Sequence, residues 1–122
     1  MNHVLIKAID PDVEEEVTIE VDGIELVGFV SFCPYDIKVG MSYPVSIGIT
    51  VLDELEIREL ESPTKGFQRI EQGFVYLIRG ILRPGGIIEA GIEIQDELLV
   101  DYAYLYNKFV EIRVDRISLS FE

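Results

Sequence analysis

Apolar residues recur at every second position along most of the chain, and this spacing is typical of β-strands that bury one face. Two such runs cover residues 17–21 and 24–32, and Asp22 and Gly23 separate them. Phe32 is interpreted as the last residue of the core-facing series in the second run. A type I′ turn requires positive φ at both central residues, which Asp tolerates and Gly adopts freely. The pattern therefore predicts a β-hairpin with its turn at this pair.

A longer alternating run extends from Tyr43 to Ile57 and is interrupted at Asp53 and Glu54. Strands in globular proteins usually have about 3–10 residues, and longer ones bend or bulge. We expect this run to bend at the two acidic residues, so that it contributes to two sheets or wraps around a barrel. The residues that follow, 61–66, have the composition of a surface loop.

Turn-forming residues mark the strands of the second half of the chain. Hairpins are predicted around Gln72–Gly73 and Arg83–Gly86, and residues 88–94 alternate as one further strand. In the last run the apolar residues change parity at Asp115–Arg116. Because one extra residue moves the following side chains to the other face, we expect a bulge or bend there.

Residues 97–106 fit two interpretations. A short helix would begin after Asp96, which is a favourable capping residue, and would place Leu98, Tyr102 and Leu105 near one another. A strand would instead use the alternation of Leu98 with Val100 and Tyr102. Both a short helix and a strand therefore stay open for this segment.

The arrangement as a whole predicts an all-β protein. About eight short strands joined mainly by hairpins favour a single small antiparallel barrel or sandwich, and residues 1–122 are interpreted as one β-barrel domain. Long bent strands and glycines inside strands, at Gly28, Gly48 and Gly80, favour an OB-like barrel.

Acidic residues dominate the charge of the chain. The 23 Asp and Glu residues outnumber the 10 Lys and Arg residues, which gives a formal net charge of −13 at pH 7. Such a field repels nucleic-acid phosphates and anionic membrane surfaces, so we expect neither as a partner. The charge favours a basic partner protein instead.

The sequence also carries expectations about location. The uncharged runs Leu26–Tyr35 and Val39–Leu52 are both shorter than the ~20 apolar residues that a membrane-spanning helix needs. The first ten residues lack the apolar core of a secretory signal, and a single cysteine cannot form an internal disulfide. We therefore expect a cytoplasmic protein with no membrane association.

Cys33 is the only cysteine, and it does not have the surroundings of a nucleophile. A reactive thiolate needs a neighbouring base, a positive charge or a helix N-terminus. The only histidine is His3, and the charged residue closest to Cys33 in sequence is Asp36, which would oppose ionisation of the thiol. Cys33 is interpreted as a small packing residue at the end of a strand.

The remaining candidate chemistry is weak. Asp10, Asp12 and Glu14 alternate like the first ligands of a calcium loop, but Glu15 stands where that loop needs glycine. Phosphate-loop and dinucleotide-binding motifs are absent from the sequence. We predict no catalytic residue, metal site or cofactor, and favour a non-enzymatic protein over an enzyme of unassigned reaction.

The favoured function is that of a protein-interaction module that binds or masks a basic partner protein. An acidic patch can steer such a partner and set specificity. The candidate partner-binding residues are the acids between the first two strands, Asp10, Asp12, Glu14, Glu15 and Glu16.

The sequence leaves two further possibilities open for the binding partner. An OB-like module could bind a small ligand or single-stranded nucleic acid, with bases stacked on aromatic rings. The candidate residues for that alternative are Tyr102, Tyr104, Tyr106 and Lys108. Strands rich in β-branched residues could also pair edge to edge in a homodimer.

Overall fold

A computed structural model describes residues 1–122 and confirms the all-β class. It contains eleven β-strands, arranged in two sheets, and one 3₁₀ helix. The strands are β1 (Asn2–Ile9), β2 (Glu16–Val21), β3 (Ile24–Phe32), β4 (Ser42–Thr50), β5 (Glu56–Glu59), β6 (Gly66–Arg69), β7 (Tyr76–Arg83), β8 (Ile87–Glu89), β9 (Glu93–Gln95), β10 (Phe109–Val114) and β11 (Arg116–Phe121), and the 3₁₀ helix is Glu97–Leu105.

The first sheet is a closed barrel with the strand order β1-β2-β3-β11-β4. All its neighbours are antiparallel except β3 and β11, which run parallel. The predicted hairpin joins β2 to β3, and its turn residues Asp22 and Gly23 have φ of 50° and 79°. Closing the barrel leaves these five strands without a free lateral edge along their paired lengths.

The second sheet is inserted between β4 and β11 and has the order β5-β10-β7-β8-β9, with β6 also paired to β7. The long alternating run breaks as expected, because β4 ends at Thr50 in the barrel and β5 begins at Glu56 in the second sheet. The chain returns to the barrel at Asp115, whose backbone N–H donates to the Thr50 carbonyl at 2.9 Å. Both predicted bends are therefore the crossings between the two sheets.

Two strand predictions in the second sheet are wrong in detail. Residues 88–94 form two strands, not one, because the chain reverses at Gly91, where φ is 111°. Gly66–Arg69 was assigned partly to a loop but forms β6, which pairs with β7. These strands have only three or four residues, so their alternation along the sequence is too short to separate them from their turns.

The ambiguous segment is a 3₁₀ helix. The Asp96 carboxylate caps it by accepting a hydrogen bond from the Leu98 N–H at 2.9 Å. The helix is kinked at Tyr102, whose φ of −108° and ψ of 35° are not helical. Leu99 and Leu105 are buried and Tyr102 packs against the core, which explains why this helical form is stabilised.

One apolar cluster of 24 buried residues includes residues of both sheets, and no polar or charged side chain is buried. Phe29 of the barrel packs edge to face on Phe74 of the loop before β7, with ring centroids 5.5 Å apart. The finer assignments, an OB-like barrel and a single domain, stay predictions. No helix in the structure has both the length and the apolar character needed to cross a membrane.

Candidate functional site: an acidic groove at one end of the barrel

A groove of about 370 Å³ lies where β1 and β3 end and β2 begins. We call it the acidic groove. This volume is at the lower end of the range of about 300–1,000 Å³ that is common for ligand pockets. Its walls come from the β1–β2 loop and from the connection that follows β3. The lining residues are Ile9, Glu14, Glu15, Val30, Ser31, Phe32, Cys33, Tyr35, Asp36 and Ile37.

Asp10 orders the β1–β2 loop that forms the first wall. Its Oδ1 accepts hydrogen bonds from the backbone N–H groups of Asp12 and Val13, each at 2.8 Å. These bonds favour the charged carboxylate and lower the pKa of Asp10 below its usual value. Because the loop is folded back by its own backbone and Asp10, the next two side chains, Glu14 and Glu15, are exposed along the groove.

The five acids predicted for partner binding therefore occupy four different environments. Asp10 accepts hydrogen bonds within the loop, and Glu16 lies 3.9 Å from the Arg69 guanidinium. Asp12 is exposed but does not line the groove. Glu14 and Glu15 are the two members that line the groove, and neither forms an ion pair.

The second wall follows the end of β3. The last pair between β2 and β3 joins Glu16 to Phe29, so β3 continues beyond its neighbour. Phe32 is consequently 57% exposed, which corrects the sequence-based assignment of Phe32 to a core-facing series. Pro34 follows Cys33 and marks the end of the strand.

Cys33 and Tyr35 hold the turn after β3. The Cys33 thiol donates to the Tyr35 carbonyl at 2.9 Å, and the Tyr35 hydroxyl donates to the Glu122 carbonyl at 2.8 Å. The Tyr35 ring stacks on Tyr43 with centroids 5.7 Å apart. Asp36, which also lines the groove, is exposed at this turn.

The basic residues are concentrated elsewhere and are mostly paired. Arg58 and Arg79 both donate to Glu111 on the outer face of the second sheet, and the Arg116 guanidinium lies 4.2 Å from the centroid of the Phe29 ring. The ion pairs are Lys7–Glu20, Arg58–Glu111, Lys65–Glu89, Arg69–Glu16, Arg79–Glu111, Lys108–Glu59 and Arg113–Glu56. Most positive charge is thus matched within the chain, while the carboxylates of the groove are not.

The alternative ligand-binding residues lie on and after the 3₁₀ helix, away from the lining of the acidic groove. Tyr104 is 71% exposed, whereas Tyr102 and Tyr106 pack partly against the core. The Tyr102 and Tyr104 rings have centroids 6.2 Å apart and are tilted by 45°. Tyr106 follows the end of the helix and pairs with neither ring, so the three rings do not form one stacked row. Lys108 lies 3.6 Å from Glu59.

No set of three or more His, Cys, Asp or Glu side chains converges in a way that could hold a metal ion. The acidic groove combines exposed carboxylates with aromatic and aliphatic side chains. Carboxylates can attract a cation, and aromatic and aliphatic side chains can contact apolar groups.

A family model described as "Uncharacterised conserved protein UCP019853" matches residues 1–122, and the chain belongs to that family. Searches of curated proteins and of solved structures gave no significant match.

Proposed function

We propose that the protein is a non-enzymatic interaction module that binds a basic segment of a partner protein in the acidic groove. The observation that carries the proposal is the presence of unpaired carboxylates, Glu14, Glu15 and Asp36, around a partly apolar groove. Both features are needed for specific binding, because charge brings a partner close and apolar contact holds it.

The charge distribution supports a cationic partner. The connections 10–15 and 33–41 contain five acids and one base, Lys38. Exposed single ion pairs contribute about 0–1 kcal/mol, so the carboxylates would act mainly through association rate and selection of the partner. We therefore expect the association rate to fall steeply as salt is added.

The alternative, binding of a small ligand or single-stranded nucleic acid, has less support. Binding to a nucleic-acid backbone needs cations that are free to contact phosphate. Most Lys and Arg side chains are already paired with carboxylates, including Lys108 with Glu59. Titration with short labelled single-stranded DNA and RNA at low salt tests this alternative directly.

A homodimer through strand edges is also less well supported. The barrel is closed, and β5 at one edge of the second sheet carries Glu56, Arg58 and Glu59. Charged side chains on a short edge strand oppose pairing with another sheet. Sedimentation at increasing protein concentration would detect a dimer.

The test of the proposal compares two double variants with the same change of net charge. Glu14→Lys/Glu15→Lys reverses the charge of two acids that line the groove. Asp53→Lys/Glu54→Lys reverses the charge of two exposed acids in the connection between β4 and β5. Affinity capture from an extract of the native cells, at low and at high salt, is followed by binding measurements with the purified partner.

We expect a partner that binds the wild-type protein and the Asp53/Glu54 variant but is lost with the Glu14/Glu15 variant and at high salt. The proposal would be overturned by equal binding of the partner to both variants, or by capture of the partner that does not depend on salt concentration.

A further inference from the structure

The acidic groove has two chemically different parts, and this division specifies its occupant more narrowly than charge alone. Glu14 and Glu15 belong to the β1–β2 loop and Asp36 to the connection after β3, and all three line the groove. The lining also contains apolar side chains, among them Phe32 and Ile37. An occupant that matches both parts must present a cation and an apolar group side by side.

Exposed apolar side chains are frequent in the segments that form the groove, and two of them, Phe32 and Tyr35, line it. Ten large hydrophobic side chains are exposed in the whole chain, and half of them belong to the two connections that form the groove and to the end of β3. These five are Val13, Phe32, Tyr35, Val39 and Met41. Clusters of exposed apolar residues with a polar rim are typical of binding surfaces.

The size of the groove restricts the occupant to a few side chains. The groove volume of about 370 Å³ accommodates the side chains of one short segment, whereas a standard interface between folded domains involves about 20–30 residues on each side.

Arginine fits this environment better than lysine. Its planar guanidinium binds carboxylates in a bidentate manner and stacks on aromatic rings, whereas the lysine ammonium is a compact and strongly hydrated charge. The chain already contains such a contact, since the Arg116 guanidinium lies 4.2 Å from the centroid of Phe29. Phe32 offers an exposed ring next to the groove carboxylates.

We infer that the acidic groove binds a short peptide segment in which an arginine adjoins an apolar residue, with the guanidinium among Glu14, Glu15 and Asp36 and the apolar side chain on Phe32. The inference rests on the proposed function and specifies its ligand.

Fluorescence anisotropy with three labelled, end-blocked hexapeptides tests the inference. The peptides are GRLRLG, GRSRSG and GKLKLG, so that the first pair differs only in apolar content and the first and third differ only in the cation. The protein variants are Phe32→Ser and, as a matched control, Val100→Ser, which also removes an exposed apolar side chain (47% exposed) but lies on the 3₁₀ helix.

We expect GRLRLG to bind at least tenfold more tightly than GRSRSG and several-fold more tightly than GKLKLG. Phe32→Ser should remove the advantage of GRLRLG over GRSRSG, while Val100→Ser should keep it. Because Phe32 and Val100 are both exposed, neither change should prevent folding.

Equal affinity for GRLRLG and GRSRSG would overturn the inference and leave the proposed function intact, since binding would then depend on charge alone. Equal affinity for the arginine and lysine peptides would overturn the assignment of arginine. If no peptide binds at low salt, the inference fails, and the capture experiment then decides separately whether the proposed function also fails.

Discussion

The Tyr76 hydroxyl oxygen accepts a hydrogen bond from the Val27 backbone N–H at 2.8 Å and thereby joins the second sheet to the barrel. Tyr76 is at the start of β7 and only 4% exposed, and Val27 is in β3. Burial raises the pKa of the Tyr76 phenol. The contact satisfies a backbone donor that would otherwise be left without a partner between the two sheets.

Tyr76→Phe should therefore destabilise the protein. Removing the hydroxyl leaves the partly buried Val27 N–H unpaired, and we expect the free energy of unfolding in urea to fall by about 1–2 kcal/mol. Tyr104→Phe is the control, because Tyr104 is 71% exposed and should change stability by less than about 0.5 kcal/mol. Equal effects of the two substitutions would show that the hydrogen bond between the sheets contributes nothing.

Glu111 should make the protein sensitive to acid. Its side chain is 12% exposed, and although burial opposes ionisation, Arg58 and Arg79 hold the pKa of the carboxyl below its usual value of 4.5. The stabilisation is therefore complete above the pKa of the unfolded chain and is lost as pH falls through the lower pKa of the folded protein.

We expect Glu111→Gln to lower stability by about 1–3 kcal/mol at pH 7, as for other hydrogen bonds to charged groups. The difference from the wild type should shrink as pH falls below about 4.5. Urea unfolding from pH 7 to pH 3 measures this difference in the free energy of unfolding. Glu59→Gln is the control, because Glu59 is in an exposed pair with Lys108. A difference that stays constant with pH would contradict the assigned role.

Gly80 should be one of the positions least tolerant of a side chain. A Cβ there would lie 2.3 Å from the Glu89 carbonyl oxygen, and backbone cannot move aside as a side chain can. Gly80→Ala is expected to lower the free energy of unfolding by about 2 kcal/mol or more.

Gly48→Ala is the matched control for this substitution. Gly48 is also inside a strand, but a Cβ there would meet nothing within 4 Å. The free energy of unfolding of Gly48→Ala in urea should stay within about 0.5 kcal/mol of the wild-type value. The interpretation fails if Gly80→Ala is tolerated as well as Gly48→Ala.

Cys33→Ser should leave binding unchanged. Cys33 is partly buried and its thiol donates to the Tyr35 carbonyl, a bond that a serine hydroxyl can replace. We expect a change of about 1 kcal/mol or less in urea unfolding. Peptide binding lost without a change in stability would show that the thiol itself takes part in recognition.

Parts of the fold were predictable because local rules decide them. The Asp22–Gly23 turn follows from the positive φ that both positions require, and the breaks near Asp53 and Asp115 follow from strand length and a change of parity. Asp96 was identified as a cap because its side chain acts on a neighbouring backbone group. Each of these features depends on residues that are close in sequence.

The candidate site was only partly predictable. The acids between β1 and β2 were identified by their charge, and Glu14 and Glu15 do line the groove. Phe32 was assigned to the core because its parity matched the buried residues of β3, and nothing local shows that β2 ends before it. The opposing wall, including Asp36, comes from a different connection that only the barrel brings near.

The sequence alone determined the β-strand character, the main turns and the excess of acidic residues, because alternation, turn preference and charge are properties of single residues and their near neighbours. Tertiary structure decided that β3 and β11 pair in parallel to close the barrel, that the residues between β4 and β11 form a second sheet, and that residues 97–105 are helical. These outcomes depend on burying apolar faces from distant parts of the chain against one another. No single segment of the sequence determines the free energy of that burial.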